Sequence, residues 1–133
     1  MKKYNLEVNR DQLQTIKRAL EFYSRIGMGQ LNEVTSWEFN FKDLNDVDRR
    51  YTEDALGYIG ELLTDLPRNA YRGIGHRDVP DSCTSAFDMY QVIRHHIAWE
   101  DHPEGGLFVQ FDTPMKFSKQ PLAKIETCDD KDT

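Results

Sequence analysis

Apolar residues recur at every third or fourth position along two long stretches of this chain, and this spacing constrains the fold more than any other feature. The first series consists of Leu13, Ile16, Leu20, Tyr23, Gly27, Val34 and Trp37. The second consists of Leu44, Val47, Tyr51, Ala55, Ile59, Leu62 and Leu66. Narrow apolar rows with this spacing are typical of helices that pack against other helices. The sequence therefore predicts two long amphipathic helices.

The first predicted helix begins with a capping box, in which Asn9 is followed three residues later by Gln12. It would be about 28 residues long and would contain Gly27 and Gly29, each of which costs about 1 kcal/mol in a helix interior. Because the apolar series resumes in phase after the glycines, we favour a continuous helix, in which the missing Cβ of Gly27 admits another backbone or a ligand. A kink at the glycines is the alternative.

Two prolines delimit the helices that follow. Pro67 ends the second helix, which spans about 44–66. Pro80 precedes a third helix, which has Asp81 as its N-cap and extends to about Trp99. The apolar stripe of this helix contains Ala86, Met89, Tyr90, Ile93 and Ile97. The opposite face, which we expect to be solvated, carries Asp88, Gln91 and His95.

Two short segments alternate between apolar and polar residues, as half-buried strands do. One lies near the start of the chain at Tyr4, Leu6 and Val8, and the other lies near its end at Leu107, Val109 and Phe111. The predicted fold is therefore mainly α. It is a helical bundle of two long helices and one medium helix, decorated with a small β-sheet built from the terminal strands.

The length of 133 residues fits one domain, which we place at residues 1–125, with a disordered acidic tail at 126–133. The net charge is −6, and the tail supplies half of it, so the body lacks the basic excess that DNA or RNA binding requires. No apolar run is long enough to span a membrane. The long helices are more than one such chain can cover, which predicts a homodimer or a higher homo-oligomer.

Residues 94–106, RHHIAWEDHPEGG, concentrate the chemically versatile side chains. Arg94 falls at the edge of the apolar stripe, where a partly desolvated guanidinium needs an acceptor. That acceptor is either an acid on a neighbouring helix or the phosphate or carboxylate of a ligand. His96 and Glu100 share one helix face, but no HExxH or CxxC pattern accompanies them, so we expect no metal. No nucleophile or phosphate-loop motif occurs, so we expect neither catalytic residues nor a cofactor.

Two further features suggest a ligand, and each has a structural alternative. Trp99 precedes the turn formed by Glu104, Gly105 and Gly106, whose backbone N–H groups would be open to a ligand, although a helix end covered by the indole ring would give the same pattern. The segment RNAYRGIGH and the residue after it hold the densest cluster of positive charge in the chain. Arginines beside an aromatic ring suit a nucleotide, because the charge binds phosphate and the ring stacks on the base. A solvated basic loop would have the same composition. The side chains concerned are Arg68, Tyr71, Arg72, His76 and Arg77.

The strings FDMYQVIRHHIAWEDHPEGG and FDTPMKFSKQPLAKIE, together with EFYSRIGMGQ near the start, resemble a group of small, uncharacterised accessory proteins of tailed bacteriophages. The resemblance implies a place in the host cytoplasm and a role against host defence. Proteins of this kind either sequester a nucleotide immune signal or bind a host protein. The predicted helical oligomer is similar in general design to the signal-sequestering proteins.

We therefore expect a protein that binds a small phosphorylated nucleotide without turning it over. The pocket would be lined by Arg68, Tyr71, Arg72, His76, Arg77, Tyr90, Arg94, Trp99, Glu104, Gly105 and Gly106. The main alternative is an accessory protein that inhibits a host protein through its surface. A metal-dependent hydrolase is a third hypothesis, and tightly bound zinc or manganese in the purified protein would be its signature.

Overall fold

The computed structural model describes residues 1–35, 39 and 41–129 of the chain. In these residues the fold is mainly helical, as predicted, with helices α1 (Arg10–Gly27), α2 (Asp46–Thr64) and α3 (Asp81–Asp101). Two short 3₁₀ helices, Leu31–Thr35 and Val109–Phe111, complete the secondary structure. Trp37 of the first apolar series and residues 130–133 of the predicted tail lie outside the described residues.

The α1 helix begins as predicted and ends earlier than predicted. The side chain of Asn9 accepts from the backbone N–H of Gln12, and the side chain of Gln12 accepts from the backbone N–H of Asn9, so both halves of the capping box are present. The helix ends at Gly27, and Gly29 has a φ of +93°, which favours glycine. The favoured continuous helix is therefore wrong, because the backbone turns at the two glycines into the first 3₁₀ helix.

The α1 and α3 helices pack against each other in antiparallel orientation. At one end, a Cβ added to Gly27 would lie 2.6 Å from the Cβ of Cys83, so the missing side chain admits α3. At the other end, the guanidinium of Arg10 bonds to Glu100 at 3.0 Å and to Asp101 at 2.6 Å. The most buried apolar cluster lies at the glycine end and consists of Met28, Val79 and Cys83, with Ile74 packed against it.

The face of α3 that the sequence predicted to be solvated is buried, so that prediction is wrong for Asp88 and Gln91. The Asp88 carboxylate is 3% exposed and accepts from the backbone N–H groups of Phe117 and Ser118 at 2.8 and 2.9 Å. The Gln91 amide donates to the Met115 carbonyl at 2.8 Å. These bonds fix the C-terminal segment along α3, which is why the helix is buried on two faces.

The predicted β-sheet is not present in the described residues. Residues 1–9 form neither a strand nor a helix, and Leu6 is 78% exposed. Part of the second predicted strand is the 3₁₀ helix Val109–Phe111. The Trp99 indole donates to the Phe111 carbonyl at 3.0 Å, and the His95 ring lies 3.2 Å from the Gln110 carbonyl, so α3 side chains bond to carbonyls that a strand would use for pairing.

The α2 helix lies within the predicted boundaries and is anchored mainly at its C-terminal half. The Asn45 side chain caps its start by accepting from the Asp48 backbone N–H, and Asp65, in the left-handed conformation, follows its end. Among the described helices, α2 contacts the first 3₁₀ helix and neither α1 nor α3. None of the three helices has the length and apolar character needed to cross a bilayer, in the part of the chain that the structure describes.

The contact at Gly27 predicts a destabilising Gly27→Ala variant. Alanine favours a helix, but its methyl group would collide with Cys83, and overpacking of this kind costs about 1–3 kcal/mol. Gly73→Ala is the matched control, because no atom lies within 4 Å of the added Cβ there. We expect the urea unfolding midpoint to fall for Gly27→Ala and to hold or rise for Gly73→Ala. Equal midpoints for the two variants would contradict the close approach of α1 and α3.

Candidate functional site

The structure divides the predicted ligand residues between separate regions along α3. The loop of residues 68–77 lies at the N-terminal end of α3, because the Arg72 backbone N–H donates to the Met28 carbonyl at 2.8 Å, beside the Gly27 contact. Trp99 and residues 104–106 lie at the other end, about 24 Å along the helix from Cys83. Tyr90 and Arg94 lie between the two ends, so the eleven residues do not line a single pocket.

The arginines of the loop are partly occupied by groups of the protein. Arg68 lies 3.5 Å from the Glu61 carboxylate and covers Gly57. Arg72, whose side chain is 21% exposed, donates to the Thr64 carbonyl at 3.1 Å at the end of α2. Both arginines therefore connect the loop to α2.

A single carboxylate, that of Asp78, lies near three side chains of the loop. It is 3.6 Å from Arg72, 3.8 Å from His76 and 4.0 Å from Arg77. The His76 Nδ1 accepts from the Asp78 backbone N–H at 3.1 Å, which fixes the ring in this cluster. Because Asp78 offsets only one of the two positive charges of Arg72 and Arg77, this part of the loop keeps a positive charge, as the sequence predicted.

A cavity of about 270 Å³ lies between the first 3₁₀ helix, α2 and the start of the loop. Tyr71 is the one predicted ligand residue that lines it. Its charged lining residues among those described are the acids Glu33 and Glu61, with no basic side chain. These acids are paired with Arg25 and Arg68, at 3.6 and 3.5 Å, so the described lining offers a phosphate no basic partner, and we do not place the predicted ligand in this cavity.

At the C-terminal end of α3, Trp99 and the PEGG turn pack against each other. A Cβ on Gly105, which has a φ of +83°, would lie 2.9 Å from the indole ring, and Gly106 approaches the Phe111 ring in the same way. The Trp99 and Phe111 rings meet edge to face, with centroids 5.5 Å apart. The two glycines leave room for these rings, and the indole nitrogen donates to the Phe111 carbonyl. This arrangement is the second of the two interpretations of the sequence, a helix end covered by the indole ring. Glu104 lies 3.6 Å from His102.

Arg94 is half-buried, as its position on the stripe predicted, and it has few partners. Its guanidinium lies over the Tyr90 ring, 5.0 Å from the centroid, and one of its terminal N–H groups reaches the Tyr90 hydroxyl at the long distance of 3.4 Å. The Nε is buried without a hydrogen-bond partner. No described carboxylate lies within 4.0 Å of this guanidinium, so the expected ion pair within the protein is not found in the described residues.

The Tyr90 hydroxyl is the one described hydrogen-bond acceptor of the Arg94 side chain. The acid Glu21, on α1, lies 3.2 Å from Arg25. Burial raises the pKa of Tyr90, and the Glu21 carboxylate raises it further, whereas Arg94 lowers it. Tyr90 is therefore a neutral phenol, and its hydroxyl accepts one long hydrogen bond from Arg94, whose Nε is left without a partner.

Two phenylalanines that the sequence did not single out extend this arrangement towards the loop. We call Phe117, Phe87 and Tyr90 the aromatic row. The Phe87 ring lies 5.7 Å from Phe117 and 5.8 Å from Tyr90, centroid to centroid. At the loop end of the row, a Cβ on Gly75 would touch Phe117 at 3.6 Å. The aromatic row therefore lies between Arg94 and the positive loop. The sequence did not indicate Phe117, because Asp88, whose carboxylate accepts from the Phe117 backbone N–H, was expected on a solvated face.

His96 and Glu100 share a face as predicted, and their partner is the C-terminal segment. The Thr127 hydroxyl lies 2.8 Å from the His96 Nε2 and donates to the Glu100 carboxylate. That bond holds the pKa of Glu100 below its ordinary value, with smaller contributions of the same sign from His96 and Arg10. Within the described ranges, no three His, Cys, Asp or Glu residues come together as a metal site would require.

Comparison with protein-family models, with curated proteins and with solved structures gives no match.

The bond from Thr127 predicts that a Thr127→Val variant will raise the pKa of Glu100 towards its ordinary value. Because the folded pKa is the lowered one, the contact is complete at neutral pH and is lost as the pH falls through that pKa. Carboxyl carbon shifts in an NMR titration measure the change, and the exposed Thr113, replaced by valine, is the control. An unchanged Glu100 pKa in Thr127→Val would contradict the contact.

Proposed function

We propose that this chain is a non-enzymatic protein of a tailed bacteriophage that sequesters a small phosphorylated nucleotide, an immune messenger of the host, and holds its phosphate at Arg94. One observation carries the proposal: the Arg94 guanidinium is half-buried, with an Nε that has no hydrogen-bond partner. A buried donor without an acceptor costs about 1–3 kcal/mol. A phosphate oxygen that accepts from this group removes the cost, and the planar guanidinium donates to two oxygens at once.

The surroundings of Arg94 favour an aromatic ligand over a bare ion. The Tyr90 ring beneath the guanidinium and the Phe87 ring beyond it provide aromatic surface of the kind on which a nucleobase stacks. The positive loop at the far end of the aromatic row attracts a second phosphate through Arg72 and Arg77. Sequestration needs only binding, so no covalent bond within the ligand is broken.

The proposal predicts that Arg94→Ala weakens ligand binding without destabilising the fold. Removal of an unpaired buried cation leaves the melting temperature unchanged or slightly raised, and the affinity falls by about 2–3 kcal/mol, or roughly 30- to 150-fold. Isothermal titration against cyclic dinucleotides, cyclic trinucleotides and cyclic ADP-ribose isomers measures the affinity. Arg18→Ala, which removes an exposed arginine of α1, is the matched control and should change neither quantity.

Two results would overturn the assignment. If none of the nucleotides gives heat with the intact protein, the ligand class is wrong. If Arg94→Ala lowers the melting temperature by many degrees while the folded fraction binds normally, the guanidinium is structural. Heat denaturation of the complex should release the ligand intact, and a hydrolysed product would show turnover instead.

A second candidate function, inhibition of a host protein through the surface, is favoured by a different observation. Three consecutive apolar residues after the PEGG turn are exposed: Leu107, Phe108 and Val109, at 103%, 72% and 60%. A stoichiometric host protein that is captured equally by the wild-type chain and by Arg94→Ala, but not by Phe108→Ser, would favour this function over nucleotide sequestration.

A further inference from the structure

We infer that the exposed apolar face of α2 pairs with the same face of a second copy of the chain, with the two α2 helices antiparallel. This inference goes beyond the proposed function, since it concerns a surface that contains none of the predicted ligand residues. It rests on how α2 is attached, on the pattern of its exposed side chains and on the area that the chain leaves uncovered.

The α2 helix meets the rest of the molecule along one side only. Leu56 and Gly60 line the cavity next to the first 3₁₀ helix, and the position of a Cβ on Gly60 lies 3.8 Å from Leu31. At 100° per residue, these two positions point away from the side that carries Val47 and Tyr58. The second side therefore has no partner among the described helices.

This second side is apolar and exposed over the whole length of the helix. Four of its residues, spaced by four, seven and four positions, fall within about 60° of arc. We call them the α2 row: Val47, Tyr51, Tyr58 and Leu62, with exposures of 77%, 75%, 55% and 65%. Ile59 widens the row on one flank, at 43%. With it the row presents roughly 500 Å² of apolar surface, which is near the upper end for a monomer.

The total surface of the chain indicates how much area a partner would cover. The accessible surface is 10412 Å² for a mass of 15.6 kDa. A compact monomer of that mass exposes about 7,200 Å², so the chain exposes about 3,000 Å² more than expected. A standard interface needs about 800 Å² from each partner. The α2 row and its flank supply most of that amount, and the extended terminal segments add to the excess.

The residue pattern of α2 fits an antiparallel copy of itself. The register that places Tyr51 opposite Tyr58 also places Val47 opposite Leu62, so all four residues of the row meet an apolar partner. A shallow surface depression of about 300 Å³ lies beside Val47 and Tyr51, opposite Leu62 of the second copy in this register, with Asp46, Arg50 and Asp54 at its rim.

The charges of α2 fit the same register. Arg50 and Glu61 lie on one flank of the row, and in an antiparallel pair the same flanks of the two helices face each other. Arg50 of each copy then lies within reach of Glu61 of the other, which is 38% exposed and also lies 3.5 Å from Arg68 of its own chain. The two Asp54 side chains come close at the centre, and Arg50, one turn away on each helix, offsets their repulsion.

The inference predicts that the intact chain is a dimer that Leu62→Glu dissociates. An unpaired carboxylate at the end of the α2 row, opposite Val47 of the other copy, should raise the dimer Kd by about 100-fold or more, as measured by sedimentation equilibrium. Leu107→Glu is the matched control, because Leu107 is at least as exposed and lies far from α2 in the chain. It should leave the Kd unchanged. Circular dichroism verifies that each variant is folded.

A charge exchange tests the orientation. Val47→Lys alone should also weaken the dimer, and the double variant Val47→Lys with Leu62→Glu should recover much of the affinity. In an antiparallel pair, each lysine meets a glutamate of the other copy. In a parallel pair, lysine meets lysine and nothing is recovered. Within one chain the two positions are about 22 Å apart, so they cannot pair there.

Three results would overturn the inference. The first is a chain that remains monomeric at about 100 µM, far above the Kd expected for a stable homodimer. The second is a dimer that Leu62→Glu and Leu107→Glu affect equally, which would place the interface elsewhere. The third is a double variant as monomeric as the single ones, which would exclude the antiparallel register. A monomer that binds a different protein through the α2 row would also contradict pairing with a second copy.

Discussion

The buried carboxylate of Asp88 is the interaction on which the rest of the structure depends. It accepts two backbone N–H groups from the C-terminal segment, at 2.8 and 2.9 Å, and Gln91 one turn later bonds to the same segment. A carboxylate that is 3% exposed is stable only with such donors, and they in turn need an acceptor. The segment thereby covers the face of α3 opposite α1. It also places Phe117 against Phe87, which completes the aromatic row that leads to Arg94.

The sequence predicted the elements that depend on local chemistry. The capping box at Asn9, the end of α2 near Pro67 and the start of α3 at Pro80 are set by nearest neighbours, and the structure agrees within two residues. The predicted N-cap of α3 is wrong, because Pro80 occupies that position and Asp81 is the first helical residue, with no side-chain cap bond. The sequence did not predict the burial of Asp88. In a sequence, a polar residue that is bound by distant backbone groups has the same spacing on the helix as one that faces solvent. The prediction of terminal strands was wrong for a similar reason. Alternation is a local signal, whereas strand pairing needs a second strand, and the described part of the chain contains none.

The candidate site was predictable in part. The position of Arg94 at the edge of the apolar stripe follows from helical geometry alone. Whether an acid on a neighbouring helix meets Arg94 depends on the folded chain, and among the described residues no carboxylate pairs with it. The role of Asp78 among the loop cations and the packing of Gly105 on Trp99 likewise depend on the folded chain. The apolar series of α2 was correct as a pattern, but its predicted partner within the chain is not found in the described residues, which is why its exposed row points to a second molecule.

Amide hydrogen exchange at the C-terminal segment is the most direct test of the central claim, that Asp88 binds this segment to the second face of α3. The account predicts that the N–H groups of Phe117 and Ser118 exchange at least about tenfold more slowly than those of the flanking, exposed Lys116 and Lys119. If all four amides exchange at the rate of an unstructured chain, the segment is not bound to Asp88. The two-faced burial of α3 and the aromatic row would then both be wrong.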